Sequence, residues 1–269
     1  MNSQDSRNNG AEKENTEVAE EGDASPNPGL PHLYENPKPL HSDVHAGKAL
    51  LTPITYGFAS SSPSVVLHTQ EFRTAAAFYP IAFADDDDAM PLAILGYREG
   101  DNLFVDREGA WAPGTYVPSY IRRYPFITGN SGLSDETVLY VDEQSNLLVE
   151  SALHQDAEPL FEDGKLTKRA EEIRAFCAAF QQQTPLTTAF VDELKKRGLL
   201  EPREIRLDLP GGGRQLIHGL RVIEERRFNS LSDEVILEWR HNGWLPLVYW
   251  HWASFDNFNR LIQRESISS

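Results

Sequence analysis

The sequence predicts an α+β fold, in which an antiparallel β-rich amino-terminal part with hairpins precedes a mainly helical carboxy-terminal part containing one further hairpin. Between residues 33 and 150, short apolar and aromatic stretches are separated by Pro, Gly and Asp, which is typical of strands and turns. From Thr167 onward, apolar residues recur at the three- and four-residue spacing of helix faces. The run Pro210–Gly213 between two alternating segments predicts the further hairpin.

The first strand candidates precede residue 90. Apolar and small residues alternate from Ile54 to Phe58, which predicts a half-buried strand, and residues 65–68 are a second candidate. Residues 78–83 are apolar and aromatic but contain Pro80. Because proline cannot donate a ladder hydrogen bond, this stretch is predicted to be an edge strand or a bulge.

Two further pairs of strands are predicted downstream. Residues 91–97 and 103–105 flank an Arg-Glu-Gly-Asp-Asn sequence, which indicates a hairpin. Residues 137–141 form another predicted strand, and residues 147–150 are the candidate partner of that strand.

The helical part is predicted to begin with two separate helices. Apolar residues from Thr167 to Gln183 are spaced for one helix face. Thr184 and Pro185 then suit the N-cap and first position of a second helix, which Gly198 would end in a left-handed conformation.

Two more helices are expected after the Pro210–Gly213 hairpin. Ser230 and Asp233 resemble a capping box for a helix that ends at Gly243. A last helix is expected after Trp244.

The chain is predicted to comprise an acidic tail, residues 1–29, and a single α+β domain, residues 30–269. The tail has seven acidic side chains against two basic ones and almost no large apolar residue. Such a segment cannot bury enough apolar area to offset its chain entropy, so we expect it to be disordered.

The formal charge of -16 over 269 residues restricts the partners. An acidic surface disfavours nucleic acid and anionic lipid, since both require Lys and Arg to neutralise phosphate. Solubility is the simple interpretation of this charge, and recruitment of a basic partner is the alternative.

Residues 1–23 lack the apolar core of a signal peptide, and no apolar run reaches the ~18 residues of a membrane span. We therefore expect a cytoplasmic protein without a transmembrane segment, with unconventional export to the cell surface left open. The single cysteine, Cys177, lies on an apolar helix face and is expected to be a buried structural thiol.

Long motifs occur in a fixed order along the chain: LYENPKPL at residues 33–40, then His45, YPIAF at 79–83, GDNLFVD at 100–106, YVPSYIRRYPF at 116–126, LFEDG at 160–164 and GWL at 243–245. Together they resemble the SapC family of bacterial proteins, from Leu33 to about Leu261. The resemblance implies an association with bacterial surface layers, and family members are often encoded near TonB-dependent receptors and flavin-dependent halogenases. It supplies no catalytic residues that could be carried over.

The strongest candidate for a ligand- or partner-binding surface consists of Tyr116, Tyr120, Arg122, Arg123 and Tyr124. Tyr and Arg combine apolar contact area with hydrogen bonding and dominate many binding surfaces. The alternative is that the tyrosines pack in the core while the arginines pair with acids such as Asp101 or Asp106.

His45 is the sixth candidate binding residue. His41 and His45 would share a face of a helix, as zinc ligands sometimes do, but Pro39 and Gly47 favour a loop. We therefore expect His45 to hydrogen-bond or cap, and we expect neither a metal nor a cofactor. The four aspartates 85–88 are interpreted as a solvated turn.

Two function hypotheses follow. The first is a noncatalytic accessory or binding protein linked to a bacterial surface layer or a TonB-dependent nutrient-uptake system, with an envelope protein or a small molecule as its partner. The alternative is an enzyme or enzyme subunit in a pathway with flavin-dependent halogenase-like proteins. An enzyme requires a closed pocket with convergent polar groups, whereas an exposed aromatic groove favours the binding protein. We also expect that replacing Arg122 and Arg123 together by Ala weakens binding without unfolding the domain.

Overall fold

The computed structural model describes residues 30–130 and 137–268, so the predicted tail lies outside the described residues. The α+β prediction is confirmed, with antiparallel sheets in the first half and mainly helices in the second. In chain order the strands are β1 Pro37–Pro39, β2 Lys48–Leu51, β3 Ser64–Val66, β4 Ile81–Ala84, β5 Pro91–Ile94, β6 Phe126–Asn130, β7 Thr137–Asp142, β8 Leu148–Glu150, β9 Ala157–Pro159, β10 Phe161–Glu162, β11 Lys165–Leu166, β12 Leu200–Pro202, β13 Ile205–Asp208, β14 Arg214–Ile217 and β15 Leu220–Ile223.

The helices include one long helix and several short ones. They are α1 Ser42–His45, α2 Phe72–Ala75, α3 Ser119–Arg122, α4 Lys168–Lys196, α5 Glu225–Phe228, α6 Asp233–Asn242, α7 Leu245–Ala253 and α8 Asn257–Ser268.

The strands of the described residues form three sheets and two isolated hairpins, all antiparallel. The largest sheet has five strands in the order β12-β15-β4-β5-β3. Two three-stranded sheets have the orders β1-β7-β6 and β8-β2-β9. The hairpins are β10-β11 and β13-β14, and the second of them confirms the turn predicted at Pro210–Gly213.

The predicted edge position of residues 78–83 is wrong. Strand β4 lies in the middle of the five-stranded sheet, between β15 and β5. Pro80 immediately precedes β4, so its missing N–H removes no bond from the ladder, and its carbonyl still accepts from Ile94 N at 2.9 Å.

Three other strand predictions before residue 150 need correction. Residues 54–58 form no strand, because the Tyr56 N–H is taken by the Gly109 carbonyl and Gly57–Ala59 forms a 3-10 turn. Residues 103–105 form no hairpin strand; Leu103 N donates one backbone bond to the carbonyl of Leu95, the residue that follows β5. Strand β8 pairs with β2 and not with β7.

Helix α4 is continuous, so the predicted break at Pro185 is wrong. The helix begins where expected, with the Thr167 hydroxyl accepting from Ala170 N at 3.2 Å. Pro185 is exposed, as is Gln181, whose carbonyl loses its helical donor. Water can satisfy that carbonyl, while buried Phe180 and Thr187 hold both halves of the helix against the core.

The predicted ends of the later helices are close to those observed. Gly243 ends α6 with a φ of 74°, a left-handed conformation that glycine adopts without strain. The N-cap of α6 is Ser232 rather than Ser230.

The buried residues form two clusters that meet along α4. The larger contains much of the five-stranded sheet and the part of α4 from Phe180 onward, including Phe190. The smaller contains parts of β2, β6 and β7 and the amino-terminal half of α4, including Cys177. Burial raises the pKa of the Cys177 thiol to about 12, which agrees with a structural role.

Candidate functional site

A cleft of about 280 Å³ lies near the Tyr/Arg motif, beside the amino-terminal half of α4. Its charged lining residues are Arg122, Arg123, Arg169 and Glu172. We call this the arginine cleft. Its walls are mostly apolar and aromatic and include Leu50, Tyr56, Tyr124, Phe126, Ile173 and Phe176.

Arg123 lies at the boundary between the two buried clusters and is only 8 % exposed. Its guanidinium carbon is 4.3 Å from the ring centre of Tyr120, 4.4 Å from that of Phe180 and 5.5 Å from that of Tyr34. Among the described residues, no carboxylate lies within 4.0 Å of this guanidinium, and its Nε has no hydrogen-bond partner. Cation–π contacts with three rings therefore replace the ion pair that a buried arginine usually makes.

Arg122 is exposed and is fixed by neutral acceptors. Its Nε donates to the Val117 carbonyl at 3.0 Å, and its Nη2 donates to Ser119 Oγ at 2.8 Å and to the Tyr116 hydroxyl at 3.2 Å. The guanidinium also lies over Phe176, 5.0 Å from the ring centre. These contacts hold the charge at the mouth of the cleft.

Glu71 holds the residues that accept hydrogen bonds from Arg122. Its Oε1 accepts from the Tyr116 hydroxyl at 2.7 Å and from Ser119 N at 2.8 Å. Burial raises the pKa of Tyr116, and the neighbouring Glu71 carboxylate raises it further. The tyrosine therefore remains a neutral donor that links the buried acid to Arg122.

Arg169 differs from the other two arginines because it has acidic partners. Its Nε lies 2.8 Å from a Glu158 oxygen, and its Nη1 lies 3.7 Å from Glu172. The charge of Arg169 is thereby offset, whereas among the described residues neither Arg122 nor Arg123 has a carboxylate within 4.0 Å.

His68 packs behind Arg123, with its ring 4.1 Å from that of Phe180. Burial, aided by the nearby Arg123 charge, lowers the pKa of His68 to about 4. The imidazole is therefore neutral at pH 7, and its Nε2 lies 3.3 Å from the Thr184 hydroxyl.

The predicted site residues divide into three groups. Arg122, Arg123 and Tyr124 line the arginine cleft. Tyr116 and Tyr120 contact the two arginines from behind, and the Tyr120 hydroxyl donates to the His32 carbonyl at 2.7 Å.

His45 is not among the residues that line the cleft. It is 2 % exposed, its Nε2 lies 3.3 Å from Glu143 Oε1, and its Nδ1 accepts from His41 N at 3.1 Å. Its contacts are those of a residue that fixes the short helix α1. Within the described ranges, no group of three or more His, Cys, Asp or Glu side chains could hold a metal ion.

Reasoning from sequence missed Glu71, His68 and Phe176 as neighbours of the arginines. Glu71 lies 45 residues before Tyr116, with which it bonds. Arg73 lies only two residues after Glu71, so no local pattern indicates that Glu71 pairs with Tyr116.

The cleft can bind and orient a ligand through guanidinium donors and aromatic faces. Its described lining residues include no His, Ser or Cys that could pair as nucleophile and base.

A family model described as SapC matches residues 40–261. The chain is also similar to a reducing polyketide synthase, ppsB, from Aspergillus oryzae, with 20 % identity over 227 residues. That alignment covers 80 % of this chain and 9 % of the synthase, so the chain spans less than a tenth of that relative. No solved structure matches the chain. In the part of the chain that the structure describes, no helix is both long and apolar enough to span a membrane.

Proposed function

The chain belongs to the SapC family, and from this premise we propose that it is a noncatalytic binding protein that holds a small ligand in the arginine cleft. The observation that carries the proposal is the burial of Arg123 without a carboxylate partner among the described residues. A buried charge is costly unless something compensates it, so its retention beside an open cleft favours a role in binding.

The cellular setting is proposed from the family resemblance. The protein would act as an accessory component of a bacterial surface layer or a TonB-dependent uptake system, with an envelope protein as partner. We propose a cytoplasmic address, and action at the surface would require an unconventional export route.

A second candidate function is supported by the likeness to a segment of a polyketide synthase. In that case the protein would be a subunit in a biosynthetic pathway that includes flavin-dependent halogenase-like proteins. It would then present or retain a pathway intermediate for a partner enzyme.

Ligand capture tests the binding proposal. Tagged wild-type protein and the variant Arg123→Met are incubated with a small-molecule extract of the native host, and retained compounds are identified by mass spectrometry. Methionine fills much of the arginine volume without charge, and Arg107→Met is the matched control because Arg107 is exposed and outside the cleft.

We expect a compound that wild type and Arg107→Met retain and Arg123→Met does not. Equal retention by all three proteins, or by none, contradicts binding in the arginine cleft. A parallel affinity pull-down from host cells distinguishes the two settings, since an envelope receptor supports the first and a biosynthetic enzyme supports the second.

A further inference from the structure

We propose that the ligand of the arginine cleft is a small organic anion, with a carboxylate or phosphate group on a flat apolar body. This inference rests on the proposed binding function and names the chemical class of its ligand.

In so acidic a chain, it is unusual that Arg122 and Arg123 have no carboxylate partner among the described residues. The chain contains 41 acidic and 25 basic side chains, so most cations can find an acidic neighbour. Arg169 does so twice, yet among the described residues neither Arg122 nor Arg123 has a carboxylate within 4.0 Å. An anion that enters the cleft would supply the missing negative charge.

The two arginines also have hydrogen-bond donors to offer. Arg122 uses Nε and Nη2 for protein acceptors, and no described residue accepts from its Nη1. The Nε of Arg123 is buried and has no hydrogen-bond partner in the described part of the chain. Guanidinium groups bind carboxylate and phosphate oxygens with strong charge-assisted hydrogen bonds. Glu71 fixes Ser119 and Tyr116, and these two residues accept hydrogen bonds from Arg122. The Arg122 guanidinium is therefore oriented before a ligand arrives.

The remaining walls specify an apolar, flat body. Phe176 and Tyr124 both line the cleft, and Tyr124 is held by stacking on Phe58 with ring centres 4.2 Å apart. Rigid aromatic walls favour a planar ligand. A volume of about 280 Å³ lies at the lower end of ligand pockets and suits a small molecule rather than a chain of repeating units.

Three probes with the same ring system test the class: 2-naphthoate, 2-naphthyl phosphate and the neutral 2-naphthamide. Each is titrated by calorimetry into the full chain and into Arg123→Met, Arg122→Met and Arg107→Met. The exposed Arg122 provides a second variant that tests the cleft without altering a buried position.

We expect at least one anionic probe to bind wild type about 10-fold or more tighter than 2-naphthamide, which is the effect of one lost charge-assisted bond. Arg123→Met and Arg122→Met should each lower that affinity, and Arg107→Met should not. Preference for 2-naphthoate identifies a carboxylate ligand, and preference for the phosphate identifies a phosphate ligand.

Equal affinity for 2-naphthamide and both anions, lost in Arg123→Met, overturns the anion assignment but leaves binding in the cleft standing. Affinities unchanged in Arg122→Met and Arg123→Met, or no binding by any probe, also overturn the ligand class. The extract-capture experiment fails or succeeds independently, because it uses the host's own compounds.

Discussion

Arg123 is the residue whose environment is hardest to explain by stability alone. It is 8 % exposed, is surrounded by the rings of Tyr34, Tyr120 and Phe180, and has no acidic partner among the described residues. Replacing a buried ion by an apolar residue of similar volume is often neutral or stabilising. If the guanidinium serves binding, its removal should not harm the fold.

We predict that Arg123→Met retains or exceeds the wild-type free energy of unfolding, because methionine fills the space without a desolvated charge. Arg123→Ala should lose about 2 kcal/mol because it leaves a cavity among the rings. Urea denaturation of the three proteins measures both effects. A loss in Arg123→Met as large as that in Arg123→Ala would mean that the charge itself stabilises the fold. Replacing Arg122 and Arg123 together by Ala would therefore change stability as well as binding. Replacement of Arg123 by Met tests binding with less effect on the fold.

Glu71 yields a second prediction. Glu71→Gln should lower the free energy of unfolding by about 1–2 kcal/mol, since all the described partners of the carboxylate are donors and an amide group would oppose one of them. It should also weaken binding of 2-naphthoate by loosening Arg122. Glu108→Gln, at an exposed glutamate, is the control for urea denaturation and titration. Unchanged stability and affinity would show that Glu71 neither stabilises the fold nor positions Arg122.

Two buried histidines predict a dependence of stability on pH. Burial, with a smaller effect of Arg123, lowers the pKa of His68 to about 4, and burial lowers that of His251 to about 3. Below the unfolded value of 6.5 the unfolded chain binds more protons than the folded chain. Stability should therefore fall as pH decreases from about 6.5 to about 4, by up to about 1.4 kcal/mol per pH unit for each histidine.

Urea denaturation at pH 7 and pH 5 measures this slope. His68→Gln should make it shallower, and His154→Gln, at an exposed position, is the matched variant for loss of one imidazole. A slope that is identical in His68→Gln and wild type would show that His68 is not held neutral by the fold.

The sequence predicted the residues of the candidate site only where those residues are close together in the chain. Tyr116 and Arg122 both belong to one motif and are in contact. Glu71 and Phe180 reach the site through the fold, from opposite directions along the chain, and no local pattern links them to it. His45 was grouped with the motif by resemblance, and the structure places it beside Glu143 instead.

Among the elements, helix α4 is the one that joins both buried clusters. Its amino-terminal half contributes Cys177 to the smaller cluster, and its carboxy-terminal half contributes Phe190 to the larger. Phe176 of this helix is also a wall of the arginine cleft. An uninterrupted α4 therefore sets the position of the cleft between the clusters.

Pro185→Ala should raise the free energy of unfolding by about 1–2 kcal/mol. Alanine restores a backbone donor and removes the ring from a helix interior, and the greater entropy of the unfolded chain offsets part of that gain. Ala179→Pro on the exposed face of the same helix should cost about 3 kcal/mol. Thermal and urea denaturation report both changes. If Pro185→Ala were destabilising, the proline would have a structural role that the observed helix does not suggest.

Local signals predicted helix ends better than sheet order. Gly198 and Gly243 both have positive φ at the ends of helices, as their sequence context indicated. The partner of β8 and the central position of β4 depend on contacts with segments far away in the chain, such as β15. Proline in the stretch before β4 suggested an edge because the sequence cannot show where the ladder begins.

For the whole molecule, the boundary between the two clusters is where a ligand can be enclosed. Arg123 contacts Tyr34 of the smaller cluster and Phe180 of the larger. Boundaries between packed units are common places for small-molecule sites.

The acidic segment of residues 1–29 gives a prediction about stability and ligand affinity. Deleting residues 1–29 should leave the melting temperature unchanged, because their composition predicts a tail that does not pack on the domain. The deletion also removes a net excess of acids, so 2-naphthoate should bind about twofold more tightly at low salt and equally at high salt. Calorimetry and thermal denaturation test both statements. A clear drop in melting temperature would show that the segment docks on the domain.

We propose that Arg123 is held ready for an anion. Its Nε–H, which has no hydrogen-bond partner among the described residues, can be observed directly by nuclear magnetic resonance. The Arg123 Nε–H signal is assigned by its absence from Arg123→Met, and wild type is then titrated with 2-naphthoate and with 2-naphthamide. We predict that 2-naphthoate moves this signal downfield as a charge-assisted bond forms, while 2-naphthamide does not. A signal that stays in place at saturating 2-naphthoate would show that Arg123 does not bind the anion.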